Sequence, residues 1–344
     1  MTPSFLSTED ELRRHVPEPN SLTLKKIVPR LEPSARAWID DARLVALALR
    51  RGDGRVHVLA RSSPAGVAHA PDEHRVVVGD QPDLAVATLP SPLSAATPAA
   101  SIFIVPGENS TLRANGTADV QKDELTLHVD AAYMHCPKAF VRSALWRTTG
   151  AAAAGFEPVA ERHAPLGPSS RAFIQHSPFA LLGTCGPDGG ADLSPRGDPP
   201  GFVRVVDDRT LLLPDRPGNR IVDSFRNVLG DPQIGLLFMI PGLDWILRIC
   251  ARARLTADPA WLADLAVRGK PPQLGLWLEV DEADLQPAPA LAAAGIWSGE
   301  AGPRTAPTVG RAIVEQVEPQ GRFRALKGWL LDRALRRDAR RNLY

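Results

Sequence analysis

One stretch of this chain occurs twice. LEPSARAWI begins at Leu31 and LGPSSRAFI at Leu166, 135 positions later. Leu31, Pro33, Ser34, Arg36, Ala37 and Ile39 recur as Leu166, Pro168, Ser169, Arg171, Ala172 and Ile174. The shift then holds without a gap. Gly54 falls on Gly189, Arg61 on Arg196, Gly66 on Gly201, Asp72 on Asp207, and the IFIVPG run at Ile102 on LFMIPG at Leu237. A constant register over so long a span marks an internal duplication. Past Asp123 and its match Asp258 the second copy gains 16 residues, after which 125–146 match 276–297.

Each copy reads as several short strands with Gly and Pro turns and one or two short helices. Arg51-Gly52-Asp53-Gly54 has the composition of a hairpin turn, and Pro33 suits the first turn of a short helix. That is a small barrel or meander rather than a βαβ sheet. Neither copy has a GxGxxG or Walker loop, so Rossmann and P-loop readings fail. The expected fold is mainly β with short helices (α+β), as two tandem split β-barrels packed as an intrachain pseudo-dimer. The expected division is an N-terminal arm (1–30), a first barrel (31–146), a linker (147–165), a second barrel (166–297) and a C-terminal tail with a helix (298–344).

Hydrophobic residues make up 44% of the 344, enough for real cores, and the net charge of +1 gives no reason to expect nucleic acid or a membrane surface as partner. The three cysteines are widely spaced without a CxxC, which argues against a disulfide scaffold or a zinc site and suits a reducing compartment. The first residues are charged early, unlike a signal peptide, and no apolar run reaches transmembrane length. A cytoplasmic protein is expected.

The chemistry concentrates in 192–220, DLSPRGDPPGFVRVVDDRTLLLPDRPGNR. Strand-like segments at 202–206 and 211–213 deliver two arginine-bearing loops. A helix-like segment, IVDSFRNVL, follows Arg220. Guanidinium forks and main-chain N–H groups in a Gly/Pro loop are what a dianionic phosphate requires.

The copies differ where function would lie. Gly218-Asn219-Arg220 stands against Asp83-Leu84-Ala85 in the first copy. Conversely, His135-Cys136-Pro137-Lys138 and Arg142 stand against Gln286-Pro287-Ala288-Pro289 and Ala293, and Asn115-Gly116 against Cys250-Ala251. Arg61 and Arg196 are the basic position held in both. Such complementary loss is expected if a homodimer with two shared sites became one chain and kept one of them.

SPRGDPPGFVRV, LLPDRPGNR, the GKPP segment and the HCxKA…LW ending resemble the pyridoxamine 5′-phosphate oxidase-like family of flavin-binding split β-barrels. The resemblance implies a Greek-key barrel pair with FMN in the cleft between barrels, and one flavin per chain. It puts Arg216, Asn219 and Arg220 on the phosphate with Arg196 nearby. The main chain of Ser194, Pro195, Arg196 and Gly197 would lie along the flavin ring, and Lys270 near the phosphate or the ring's polar edge. From the first copy Arg113, Asn115, His135, Lys138 and Arg142 would close the cleft, with His135 the candidate catalytic or substrate-contacting group.

The implied function is an FMN-dependent oxidoreductase acting on a small organic molecule. The alternatives are a haem-binding or haem-processing split barrel with His135 as ligand, and a non-catalytic ligand-binding pseudo-dimer. An internal dimer is compatible with a monomeric chain.

Overall fold

Both halves of the chain are built by the same strand order. The computed structural model describes residues 3–79, 96–121, 124–135, 137–147, 155–163, 165–298, 304–318, 321, 323–341 and 343–344. The first sheet comprises β1 (Leu44–Arg50), β2 (Val56–Ser62), β3 (Ala68–His69), β4 (Arg75–Val78), β5 (Thr97–Ile104), β6 (Thr111–Gln121) and β7 (Glu124–His135), ordered β2-β1-β5-β6-β7-β4-β3. In the second half β8 (Glu161–His163) pairs with the long last strand. The others are β9 (Phe179–Cys185), β10 (Ala191–Gly197), β11 (Arg204–Val205), β12 (Thr210–Pro214), β13 (Gln233–Met239), β14 (Trp245–Thr256) and β15 (Gly275–Pro287). Their order, β10-β9-β13-β14-β15-β12-β11, repeats the first. Register repeats too: Leu44 faces Ser62 and Phe179 faces Gly197, and a bulge at Asn115/Gly116 recurs at Cys250/Ala251.

Strands β1 and β9 are apolar on both faces because each serves two cores. Val45, Leu47 and Leu49 point into the first barrel, while Leu44, Ala46 and Ala48 point toward the second. Ala180 and Leu182 enter the second barrel's core, and Phe179 and Leu181 join the shared one. The shared core is the seam between the halves. Each fully buried Leu, Ile or Phe there contributes about 1.5–3 kcal/mol, so apolar burial holds the seam and polar pairs orient it. The approach is close: a Cβ on Gly183 would lie 2.8 Å from that of Ala48.

Ten helices surround the sheets among the described residues: α1 (Glu9–His15), α2 (Ser21–Lys25), α3 (Pro33–Asp41), α4 (Lys138–Ser143), α5 (Pro168–His176), α6 (Asp223–Gly230), α7 (Pro259–Leu262), α8 (Pro289–Ala293), α9 (Val309–Val317) and α10 (Arg324–Arg341). The repeat motif forms α3 and α5, each with Pro in its first turn, and each buries an aromatic–isoleucine pair: Trp38 and Ile39, Phe173 and Ile174. The termini cross over. A Thr8–Glu11 capping box starts α1, which lays Leu12 in the second barrel's core, whereas α9 lays Ala312 and Ile313 in the first.

Three local expectations need correction. The strand over 202–206 shrinks to β11. Arg196 lies inside β10 rather than on a loop. The helix after the basic loop waits until Asp223, because Arg220 takes a left-handed φ of 62° and Asn219 Oδ1 accepts from Ile221 N at 3.0 Å. The extra residues of the second copy form α7 and a 3-10 turn at Ala263–Leu265, with Trp261 edge-on to Trp277 at 4.8 Å. The first copy's counterpart of the basic loop, 80–85, and Cys136 lie outside the described residues. No helix among the described residues is long and apolar enough to cross a membrane.

Candidate functional site: a cationic cleft between the two barrels

The basic loop leaves β12 at Pro214 and is tied to the 269–274 segment by Asp215 N to Leu274 O at 2.9 Å. Between them opens a cleft of about 1130 Å³. Arg196, Arg216, Asn219, Arg220 and Lys270 of the second copy line it, with Lys138 of the first. Arg14 to Pro17 of the N-terminal arm and Asp338 and Tyr344 of the tail complete the wall.

The cations have different commitments. Arg216 donates through Nε to Asp198 Oδ2 at 2.6 Å and through Nη2 to Leu265 O at 2.8 Å, so it clamps the loop. Arg196 donates to Ser224 Oγ at 3.3 Å and lies 5.6 Å from the Phe225 ring centroid. Arg220 is exposed and has no ion pair among the described residues. A non-glycine residue in the left-handed region is uncommon and marks a strained position. Asp215 sits among these groups; burial pushes its carboxyl upward, against the pull of Arg196 and Arg142.

Helix α4 of the first copy is seated directly on β10. A Cβ on Gly197 would fall 2.1 Å from Ala139 O, so glycine is what allows the contact. Arg142 then donates through Nε to Gly197 O at 3.1 Å and through Nη1 to Pro217 O at 3.1 Å, bracing the basic loop from the other barrel.

Behind the cleft a buried polar chain crosses the seam. Arg113 of β6 pairs with Asp192 of β10, both nearly inaccessible. Asp192 Oδ2 also accepts from Ser194 Oγ at 2.8 Å and Ser224 Oγ at 2.6 Å. Burial alone would raise the Asp192 carboxyl, but Arg113 and the two hydroxyls outweigh it and hold it below the usual range. Burial likewise opposes the charge on Arg113, and Asp192 more than restores it. Asn115 Nδ2 donates across the seam to Ala191 O at 3.1 Å. A second cavity of about 410 Å³ shares Lys138, Asn219 and Arg220 with the first and is lined by His135, Lys26 and Met134.

Residues 166–293 match the family model described as pyridoxamine 5′-phosphate oxidase. That match spans the second barrel. Among solved structures, a HupZ variant from Group A Streptococcus is 14% identical, covers 35% of this chain and 99% of its own, and has a TM-score of 0.30. A protein related to general stress protein 26, of the pyridoxinephosphate oxidase family, from Clostridium acetobutylicum is 16% identical, covering 34% and 85% with a TM-score of 0.28. HutZ, the heme storage protein of Vibrio cholerae, is 15% identical, covering 36% and 90% with a TM-score of 0.23. No curated protein matches the chain.

Of the residues singled out in the sequence, Arg196, Arg216, Asn219, Arg220, Lys270 and Lys138 come together on the family-matched barrel's cleft. Arg142 stands beside it as a brace. Ser194, Pro195 and Gly197 lie in β10, with Ser194 in the buried chain behind the wall. Arg113 and Asn115 lie in the seam and line neither cavity. His135 ends β7 and faces the smaller cavity, not the larger. Arg14, His15, Phe225, Asp338 and Tyr344 were not foreseen. Only Phe225 carried a signal, being in the first turn of the helix after the basic loop.

Proposed function

We propose that this chain is a flavoprotein that binds one FMN in the cleft between its barrels and uses it to oxidise or reduce a small organic molecule. The observation that carries the reading is the convergence of Arg196, Arg220 and Lys270 of one barrel with Lys138 of the other on a single cleft of about 1130 Å³. The residues fit such a group. Arg220, without an ion pair among the described residues, is the cation left for a phosphate, while Arg216 and Arg142 fix the loop that carries it.

The bound flavin would supply the hydride chemistry. The protein's part is to bind and orient it. Arg220 and Lys270 would hold the phosphate, and Arg196, kept on the wall by Ser224 and Phe225, would favour negative charge developing beside it. The apolar side of Phe225 and Val222 would exclude water. The test is the absorbance spectrum of the purified protein followed by mass analysis of whatever heat releases. A flavin spectrum and the mass of FMN are expected. A colourless chain that takes up no added FMN contradicts the reading, and a Soret band on haem addition, lost in His135→Ala, favours the haem alternative.

A further inference from the structure

The end of the chain touches the cleft through contacts that its sequence does not announce. Helix α9 is fixed to the first barrel: Asp41 accepts from Thr305 N, Thr305 Oγ1 and Ala306 N, and Ala312 and Ile313 are in that barrel's core. Helix α10 crosses α9 where two glycines meet, since a Cβ on Gly310 would lie 2.3 Å from Gly328 O. Asp332 of α10 accepts from Gly310 N at 2.7 Å and fixes the crossing. From Gly328 the helix runs on to Arg341, a rise of about 20 Å toward the second barrel.

Its far end meets elements of both barrels. Asp338 pairs with Lys138 of α4 at 3.0 Å. Leu343 O accepts from Arg142 Nη1 at 2.8 Å, and the Tyr344 main-chain oxygen from Lys270 Nζ at 3.4 Å. The Tyr344 hydroxyl donates to Asp198, the same carboxylate that holds Arg216. Its ring centroid lies 6.0 Å from the Arg142 guanidinium and 5.3 Å from that of Arg268. Burial, then the bond to Asp198, pushes the phenol up to about 12, so it remains a donor at neutral pH.

These contacts wall the cleft without filling it, for the cavity is about 1130 Å³ with the tail in place. Lys138 and Asp338 line both the larger and the smaller cavity. Strength is distributed unevenly. The α9 anchor rests on apolar burial of Ala312 and Ile313, whereas the far end is held by polar contacts in which Asp338 and Lys270 are exposed and Lys138 and Asp198 buried. One end is fixed in an apolar core and the other is held by polar contacts at the rim of a ligand-sized opening.

We propose that α10, with Leu343 and Tyr344, forms a lid that closes the cleft over its ligand, with Asp338 and Tyr344 as latches. In relation to FMN this rests on the reading above. The shared acceptor Asp198 couples lid and loop: closing the lid orders the carboxylate that orients Arg216.

The test uses the full chain, the variants Asp338→Ala and Tyr344→Phe, and their combination, with melting temperatures to confirm that the α9 anchor and barrels are intact. FMN is bound and then diluted, and its release is followed by flavin fluorescence. The double variant should release FMN about tenfold faster, each single variant less, as expected for a few weak latches. Unchanged release, slower release or tighter binding overturns the proposal, the last two by making the tail a plug.

A second readout needs no cofactor. Lys138 is acetylated with an amine-reactive ester and mapped by mass. Its modification should be slow in the wild type and fast in the double variant; equal rates overturn the lid whatever FMN does. If labelling responds but the wild-type chain binds no FMN, the flavin reading fails and the lid stands.

Discussion

The repeated strand order offers two matched faces of one seam, and they differ. On the cleft side Arg113 crosses the seam to Asp192, and Asn115 Nδ2 donates to Ala191 O. At the matched positions Arg248 turns back to Asp284 of its own barrel, and Cys250 Sγ lies 3.6 Å from Val56 O and 3.4 Å from His57 Nδ1. His57 occupies the position that matches Asp192. Burial, with Arg51 next, lowers it to about 4, while burial raises Cys250 to about 12, so both are neutral at pH 7. The backbone contact is present on both faces; the buried charge pair is present on one. Likewise Arg196 faces the cleft while its counterpart Arg61 donates to Gly79 O of its own barrel at 2.9 Å. Lys138 and Arg142 of α4 stand where α8 has Pro289 and Ala293. A site needs charge at a seam, whereas a seam needs only shape.

The largest expected break in this comparison is Arg113→Ala. It strands Asp192 in the seam and should cost about 3–5 kcal/mol in urea unfolding. Arg248→Ala, whose carboxylate Asp284 keeps Arg162, should cost well under half of that. Equal costs would mean the two faces are energetically alike.

Next is Gly197→Ser. The matched residue is Ser62, so the first copy already tolerates a side chain there; at 197 it would drive α4 off β10, at about 1–3 kcal/mol, with loss of FMN binding. A fully stable, FMN-binding Gly197→Ser protein would show that α4 does not need that seat.

Acid sharpens the same contrast. Because the Asp192 carboxyl is held below its ordinary value, its contribution is complete above about pH 4 and is lost as pH falls through its lower folded value. Stability measured from pH 6 to pH 2 should therefore decline more steeply in the wild type than in Asp192→Asn. Parallel curves would remove the ion pair from the account. The smallest effect is expected at Cys250→Ala, within about 1 kcal/mol, for a small buried thiol with weak contacts. Fast alkylation of that thiol at neutral pH would contradict its raised value.

Much of this was legible in the sequence. The fixed shift from Leu31 to Trp297, broken once by the insertion, carried the two barrels, because hairpin register and sequence register move together. Arg220 and Lys270 were visible as unusual basic residues in Gly/Pro loops. Arg113 was visible too, but its partner was not: Asp192 lies 79 residues away, and only the docking of two barrels brings them together. Nor was the commitment of Arg216 to Asp198, which removes the most obvious phosphate ligand from the free set. The reach of Tyr344 depends on a crossing of Gly310 and Gly328, for which periodicity gives no signal.

The central claim is that two unlike halves of one chain build a single anion-gripping cleft. FMN titrated into the purified chain, with stoichiometry read from quenching of flavin fluorescence, tests it most directly. The account predicts one FMN per chain, with affinity reduced about ten- to hundredfold in Arg220→Ala, as for a lost charged hydrogen bond, and unchanged in Arg61→Ala. Two FMN per chain, none, or equal losses in the two variants would contradict it.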